Sequence, residues 1–341
     1  REFMHSGDYS SANEALEPVA NMKLTAEDMA DEETVRAKVR SLIKLAEMKW
    51  RYRVVEDGES PREEGLRVLG EALDIAEAYK EHEASAHAAM PREKMATKFR
   101  LEWAEELSDI KQGQAVSRLI FNTDRSEDDL IEELLTEALE LRRIANMRSQ
   151  TADTMNGLGS LKQKQKKYDE AEKMYREALE IRRDLPEGDD KGKAKEQSIA
   201  QSLVSLGNLH IELGDAAIAA GGQRDQAMGR YSKALANLSD AKVAYGRAFA
   251  TGHPKVAWAV EGMGRVYRKM GDLRRAEEQF AEAIAIRRQL QSMGDKKELF
   301  KKELAVSENM KAEVEEKRGA ARSRLKRLSV TSILSEPGSR P

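Results

Sequence analysis

Apolar residues recur every three or four positions along most of this chain, which places them on one face of an α-helix. No segment alternates apolar and polar residues over the length of a β-strand. The pattern predicts an all-α fold of ten helices in five hairpins, followed by an eleventh helix. The ten helices are expected at about 34–52, 61–82, 91–109, 126–145, 150–166, 169–183, 195–213, 223–238, 254–270 and 273–290, and the eleventh at about 295–327.

Small and aromatic residues recur at fixed positions within two of these hairpins. If Gly159 is set as position 8 of a repeat unit, small residues follow at positions 20 and 27, and an aromatic residue follows at position 24. This set of numbered positions, termed the ruler, also fits near the C-terminus with Gly264 at position 8. Small residues let two helices approach closely, and large ones fill the gaps to the next hairpin. Positions 20, 24 and 27 are Ala171, Tyr175 and Ala178 in the first copy and Ala276, Phe280 and Ala283 in the second.

Three further copies fit the ruler when extra residues are allowed between the two helices of a hairpin. Eight extra residues are needed after Gly207, fifteen after Ala104 and seven after Ala46. The fifteen would form an insertion over about 110–125, and the eight an insertion over 215–222. The residues of these copies are Leu206, Gly207, Ala227, Tyr231 and Ala234; Trp103, Ala104, Ile131, Leu135 and Ala138; and Leu45, Ala46, Gly65, Leu69 and Ala72.

The connection before the last hairpin reads Thr-Gly-His-Pro-Lys-Val-Ala over residues 251–257, and the segments 177–183 and 283–288 both end in Ile-Arg-Arg. With the ruler of about 34 residues, these segments make the chain resemble tetratricopeptide-repeat proteins, in particular the repeat type of kinesin light chains. The resemblance implies a right-handed α-solenoid of about five hairpins with a C-terminal capping helix. It also implies a concave groove, lined by the first helix of each hairpin, that binds peptides or proteins.

The chain departs from kinesin light chains in two respects. Their first helices often begin Leu-Asn-Asn-Leu, with asparagines that hold the peptide backbone, whereas only Asn156 occupies such a position here. Kinesin light chains also carry a long heptad region, and no sustained heptads precede residue 34. We therefore expect a protein that uses this type of repeat without being a kinesin light chain itself.

The composition excludes several classes of protein. The chain has 341 residues and no cysteine, which removes disulfide frameworks, thiolate metal sites and cysteine nucleophiles. Its mean hydropathy is −0.69, and no apolar run is long enough to cross a membrane. A formal net charge of −3 argues against a nucleic-acid-binding protein, which usually carries a basic stripe. We expect a cytoplasmic location, with an organelle or a cilium as the alternative.

The chain outside the repeat domain, which is predicted to span 34–290, is strongly charged or polar. Residues 1–33 hold nine acidic and two basic side chains and are predicted to be a flexible acidic segment. Residues 291–327 are predicted to form a charged capping helix, and the Ser- and Pro-rich residues 328–341 a flexible tail. The sequence Lys-Arg-Leu-Ser ending at Ser329 matches the pattern that basophilic kinases read, which makes Ser329 a candidate phosphorylation site.

No local pattern supports catalysis. His82 and His87 nearly form a metalloprotease zinc motif, but residues five apart lie roughly 140° from each other around a helix and cannot share a metal ion. Gly262 and Gly264 lack the third glycine and the preceding strand of a dinucleotide-binding loop. The sequence therefore predicts a non-enzymatic protein with no cofactor, no metal site and no catalytic residue.

Polar residues on the first helices of the hairpins are the candidates for a binding site. In the last hairpin, position 2 is a tryptophan and positions 9, 12 and 13 are basic. A basic groove with an aromatic residue would seat an acidic, partly hydrophobic peptide. An ordinary solvated helix face is the alternative. The candidates are Asn156, Ser160, Gln163, Lys164, Asn208, Trp258, Arg265, Arg268 and Lys269.

Two functional hypotheses follow from these features. The first is a scaffold or adaptor that binds a peptide or protein segment in the groove. The alternative is a structural subunit of a large ciliary, cytoskeletal or organellar assembly, in which the convex face and the insertions carry the contacts. The sequence implies no nucleic acid as a partner.

Overall fold

The computed structural model describes residues 9–52, 60–86, 90–122, 124–186, 192–221, 224–249, 252–292 and 297–334. These ranges contain thirteen α-helices and a short 3₁₀ turn at Asp28–Ala30, and no β-strand. The helices are α1 (Tyr9–Asn21), α2 (Glu32–Tyr52), α3 (Pro61–Ala86), α4 (Arg92–Glu102), α5 (Ala104–Phe121), α6 (Asp128–Ile144), α7 (Arg148–Lys164), α8 (Tyr168–Arg183), α9 (Lys193–Ala219), α10 (Arg224–Phe249), α11 (Pro254–Met270), α12 (Leu273–Ser292) and α13 (Lys297–Leu334). The predicted all-α class is confirmed.

The helices group into two compact units, Arg1–Ile181 and Arg182–Pro341. In the first unit α2 pairs with α3, α5 with α6, and α7 with α8. In the second unit α9 pairs with α10 and α11 with α12, and α13 packs against α12. These pairs are termed hairpins 1 to 5, with an A helix followed by a B helix. The last two residues of α8 belong to the second unit.

The position-8 glycines are explained by the aromatic rings at position 24. A Cβ atom on Gly159 would lie 2.7 Å from the Tyr175 ring, and one on Gly264 would lie 2.8 Å from the Phe280 ring. Only a residue without a side chain lets the two helices approach this closely. The small residues at positions 20 and 27 of both hairpins are fully buried, and these are Ala171, Ala178, Ala276 and Ala283. The ruler is confirmed for hairpins 3 and 5.

The A helix of hairpin 2 differs from the prediction. The insertion expected at about 110–125 is helical as far as the end of α5. In hairpins 3 and 5 the glycine at position 6 lies against a leucine of the preceding B helix, and Gly113 lies in the same way against Leu69. This equivalence makes Ala115, rather than Ala104, position 8 of hairpin 2.

Trp103, which joins α4 to α5, belongs to the core around hairpin 1. Its ring centroid is 5.1 Å from that of Tyr79 and 5.3 Å from that of Phe99. The Arg36 guanidinium lies 4.5 Å from the same ring. The sequence pattern assigns Trp103 and the following alanine to positions 7 and 8. The assignment is wrong because a large residue precedes a small one both at those positions and at the junction of α4 and α5.

Hairpin 4 lengthens its helices instead of inserting a loop. Helix α9 has 27 residues and α10 has 26, and the insertion expected at 215–222 begins inside α9. The Tyr231 ring fills the space beside Gly214, seven residues beyond position 8. Seven residues are about two helical turns, so the contact stays on the same face of α9. The B helix continues beyond its expected end at residue 238 as far as Phe249.

The terminal segments contain helices where flexible segments were expected. Helix α1 lies within 1–33 and packs against α2. The buried Lys38 ammonium donates a hydrogen bond to the Ala20 carbonyl, so α1 supplies a partner that this cation needs. Helix α13 continues to Leu334, beyond the start of the tail expected from residue 328.

A buried arginine at position 31 of three B helices contacts the following A helix. Arg142, Arg182 and Arg287 are at most 3% exposed. Each donates a hydrogen bond to the hydroxyl group at position 3 of that A helix, and two of these bonds are 2.5 Å long. The hydroxyls belong to Thr154 in α7, Ser202 in α9 and Ser307 in α13. These contacts are termed arginine clasps.

Carboxylates of the same hairpin's A helix complete two of the clasps. Asp109 accepts a hydrogen bond from Arg142 at 2.6 Å, and Glu261 accepts one from Arg287 at 2.7 Å. A buried guanidinium is tolerated only when it is paired and hydrogen-bonded. Each of these two clasps therefore couples one hairpin to the next through three side chains.

The remaining two connections carry apolar residues at both positions. Hairpin 4 has Leu238 at position 31, and the next A helix has Ala259 at position 3. Hairpin 1 has Ala76, and the next A helix has Ile110. All four side chains are buried. Because Ser307 lies in α13, this helix receives Arg287 as an A helix would.

The Arg287 clasp predicts a large and local effect on stability. Arg287→Leu should lower the free energy of unfolding by about 3–5 kcal/mol, because it leaves the buried partners without the guanidinium. Adding Ser307→Ala should deepen the loss, because the Ser307 hydroxyl also donates a hydrogen bond to Glu261 at 2.7 Å and is a donor that this carboxylate keeps in Arg287→Leu. Urea unfolding followed by circular dichroism measures both effects.

The matched control is Arg288→Leu, one residue further along α12. Its pair with Glu308 is exposed, and its loss should cost less than about 1 kcal/mol. Equal losses for the two arginine variants would contradict the clasp.

Candidate protein-binding surface

Four of the predicted binding residues lie on α11 in the second unit. Pro254 occupies the first turn of this helix, and Gly271 ends it with φ of 85°, a conformation that favours glycine. Between these ends, one face of α11 carries an exposed indole and three basic side chains. These residues are Trp258, Arg265, Arg268 and Lys269.

Three of these four residues already have acidic partners within the second unit. The Trp258 indole N–H donates to Glu303 at 3.2 Å. Lys269 donates to both oxygens of Asp215, at 2.8 and 2.9 Å. The Arg268 guanidinium donates to Glu313 at 2.6 Å. The face is therefore less basic than the sequence of α11 alone indicates.

Arg265 differs from its neighbours on this face. It is half-buried, and no described residue accepts a hydrogen bond from its guanidinium or forms an ion pair with it. Its Nε atom is enclosed without an acceptor. Arg265 follows Trp258 by seven residues, which is about two turns, so both side chains project from the same face.

Exposed apolar side chains lie on α11 and on α13. The Trp258 side chain is 47% exposed despite its bond to Glu303, and Val306 on α13 is also 47% exposed. Val306 follows Glu303 by three residues and shares its face of α13. It occupies position 2 when Ser307 is position 3, the position that Trp258 has on α11. The sequence prediction missed Val306 because the ruler was not extended into α13.

Asn208 of the candidate set lies on α9, also in the second unit. It is half-buried and occupies position 9, the position of Arg265 on α11. It therefore adds a neutral polar side chain to the A-helix residues of this unit.

The candidates of the first unit are largely engaged within the fold. Asn156 is only 8% exposed. Gln163 accepts a hydrogen bond from the Tyr175 hydroxyl at 3.0 Å, and Lys164 donates to the Leu119 carbonyl. Ser160 is half-buried. Burial and internal bonds leave this set less available to a partner than the residues on α11.

Ser329 lies in the last part of α13, beyond the side chains that the structure describes. Its phosphorylation stays a prediction. Within the described ranges, no group of three or more His, Asp or Glu side chains could hold a metal ion. None of the helices in these ranges is long and apolar enough to span a bilayer.

Two stretches of the chain, 124–184 and 224–289, match the family model of the tetratricopeptide repeat. The chain contains tetratricopeptide repeats in these two stretches. The matched stretches contain α6 to α8 and α10 to α12, which include hairpins 3 and 5, where the ruler fits without insertions. Tetratricopeptide repeats in general serve as scaffolds for protein–protein interaction.

Solved structures with a similar arrangement of helices include BtubC (BKLC) from P. vanneervenii. It is 16% identical, with a TM-score of 0.49 over 83% of this chain and 96% of that one. Another is a set of nearly identical TPR-like repeats from Podosopora anserina, described as those of a kinesin light chain. It is 14% identical, with a TM-score of 0.43 over 74% of this chain and 97% of that one. No curated protein matches the chain.

His253 caps the tetratricopeptide helix that carries the surface. Its Nδ1 atom accepts a hydrogen bond from the Lys255 backbone N–H at 3.2 Å, and its ring stacks on Phe249 with centroids 4.0 Å apart. Burial lowers the pKa of His253, and the Lys255 ammonium lowers it further. The neutral ring is thus the form that the folded protein favours.

This cap predicts a pH dependence of stability. Because the pKa of His253 is lower in the folded state, the unfolded state binds the proton more readily. Stability should therefore fall as the pH drops below about 6.5, and this contribution should level off below the folded pKa. His253→Asn keeps a capping oxygen but does not titrate, so it should lose less stability between pH 7.5 and pH 5.5. The urea midpoint of each protein at both pH values is the measurement, and identical losses would contradict the assignment.

Proposed function

We propose that this protein is a non-enzymatic scaffold or adaptor whose second unit binds a segment of another protein on the α11 face. The observation that carries the proposal is the half-buried Arg265, which has no partner among the described residues and lies two turns from the exposed Trp258. Tryptophan and arginine are the residue types that contribute most often to binding hot spots. Together they offer a ligand both an apolar contact and a directed charge.

The geometry supports a ligand with two chemical features. An apolar side chain would pack on Trp258 and Val306. A carboxylate or a backbone carbonyl would accept hydrogen bonds from the Arg265 guanidinium, whose planar fork suits a carboxylate. Asn208 is a further polar group for the ligand backbone. The proposal does not involve the first-unit candidates, because two of them already have hydrogen-bond partners inside the fold.

The alternative, a structural subunit of a large assembly, is favoured by a different observation. Leu101 on α4 is 52% exposed and Ile144 on α6 is 51% exposed. They flank a 3.1 Å ion pair between Arg100 and Glu140 that links the same two helices. Size-exclusion chromatography of native lysate separates the two functions. A permanent very large complex supports the subunit, whereas a mostly free pool supports the adaptor.

Selection from random ten-residue peptides displayed on phage tests the binding surface. The wild-type protein should enrich peptides that then bind it in fluorescence anisotropy. Trp258→Ala with Arg265→Ala should weaken that binding by at least about tenfold, because both anchors are lost.

The matched control is Val243→Ala with Arg274→Ala, which removes one exposed apolar and one exposed basic side chain elsewhere in the second unit. It should bind as the wild type does. Circular dichroism checks that both variants keep the helical fold. Unchanged binding by the folded Trp258 and Arg265 variant would refute the proposed site.

A further inference from the structure

The acidic residues beside α11 come from both of its neighbours in the second unit. Asp215 lies on α9, in the segment by which hairpin 4 exceeds the standard repeat. Glu303 and Glu313 lie on α13. Each faces a polar group of α11 that was expected to bind a ligand: Lys269, the Trp258 indole and Arg268, respectively. The protein thus places carboxylates of its own where an acidic ligand would place them.

Asp215 is fixed in place by a second bond. The Tyr231 hydroxyl donates to the same carboxylate at 2.7 Å, so Asp215 receives one donor from α10 and one from α11. Tyr231 is itself anchored, because its ring fills the space beside Gly214. The pairing of Lys269 is therefore built into the longer hairpin 4 and does not depend on a freely moving surface side chain.

Glu313 is held differently. Its side chain is 58% exposed, whereas that of its partner Arg268 is only 25% exposed. The carboxylate is the more exposed partner of this pair, on the helix that also carries Val306. A ligand carboxylate that approached Arg268 would also approach Glu313, and like charges at such short range repel.

We infer that Asp215 and Glu313 determine the specificity of the α11 face by neutralising Lys269 and Arg268. This inference rests on the proposed function. It specifies the ligand as a segment with a single carboxylate, bound at Arg265, next to an apolar side chain. Segments with several acidic residues are disfavoured, because the cations that would bind the additional carboxylates are already paired.

Both pairs are partly exposed, which sets the scale of the effect. Exposed pairs contribute little individually, so each carboxylate should change the affinity for an additional ligand acid by no more than about fivefold. Two such changes together are large enough to shift the composition of a selected peptide pool.

The same phage-displayed library of random ten-residue peptides provides the test. Wild type is compared with Asp215→Asn combined with Glu313→Gln. The side-chain oxygen of the new asparagine can still accept a hydrogen bond from the Tyr231 hydroxyl. The contact between α9 and α10 at this point is therefore kept. The control is Glu278→Gln combined with Glu282→Gln, which removes two negative charges from pairs on α12 with Arg274 and Lys242.

Wild type and control should enrich peptides with one acidic residue beside an apolar one. The Asp215 and Glu313 variant should enrich peptides with more acidic residues and bind them about five- to twenty-fold more tightly than wild type does. If wild type enriches peptides and the variant selects the same acidic content, the specificity role is wrong while the proposed function stands. If wild type enriches no peptide above the Trp258 and Arg265 double alanine variant, the proposed function fails and this inference fails with it.

Discussion

The arginine clasp is the interaction that fixes how a B helix meets the following helix at three of the connections. A guanidinium that is almost fully buried, as in Arg142, Arg182 and Arg287, is stable only where it is paired or hydrogen-bonded. The hydroxyl at position 3 of the next A helix provides one partner at a fixed place. A shift of the neighbouring helix by one residue would remove that hydroxyl and leave a buried N–H group without this acceptor. The clasp therefore fixes which residues of adjoining helices meet.

The proposed binding surface follows from the last of these clasps. The Ser307 hydroxyl accepts a hydrogen bond from Arg287, and this bond holds α13 in the position of a further A helix. That register brings Glu303 and Val306 to one end of the α11 face and Glu313 to the other. A charged helix that was expected only to close the repeat array thus also contributes to the surface proposed to bind a ligand.

Much of the fold could be predicted from the sequence, because steric contacts impose local spacing. The glycine and aromatic positions of hairpins 3 and 5 follow from helices that touch at Gly159 and Gly264. Hairpin 2 was misplaced because Ala115 is preceded by glutamine, whereas Trp103 and Ala104 imitate the expected pair. The extra residues of hairpin 4 were expected to insert between its helices, and an alanine-rich segment can equally extend a helix. Periodicity alone does not distinguish these outcomes.

The proposed binding surface could be predicted only in part, because its charges are paired across long stretches of sequence. The basic residues of α11 were visible at their repeat positions. Glu313, the partner of Arg268, lies 45 residues away in the helix expected to cap the array. Asp215, the partner of Lys269, lies 54 residues away in the segment expected to be an insertion. Local spacing contains no signal for such pairs.

The pairing also changes which forces dominate recognition. Glu313 and Asp215 neutralise Arg268 and Lys269, and Arg265 is the remaining cation, with no ion pair among the described residues. At physiological ionic strength one remaining charge beside two neutralised pairs produces little field beyond about 8 Å. Long-range attraction therefore contributes little to ligand capture. On the proposed surface, discrimination therefore depends on short-range contacts, in which Arg265 would supply direction and the exposed indole of Trp258 most of the area removed from water.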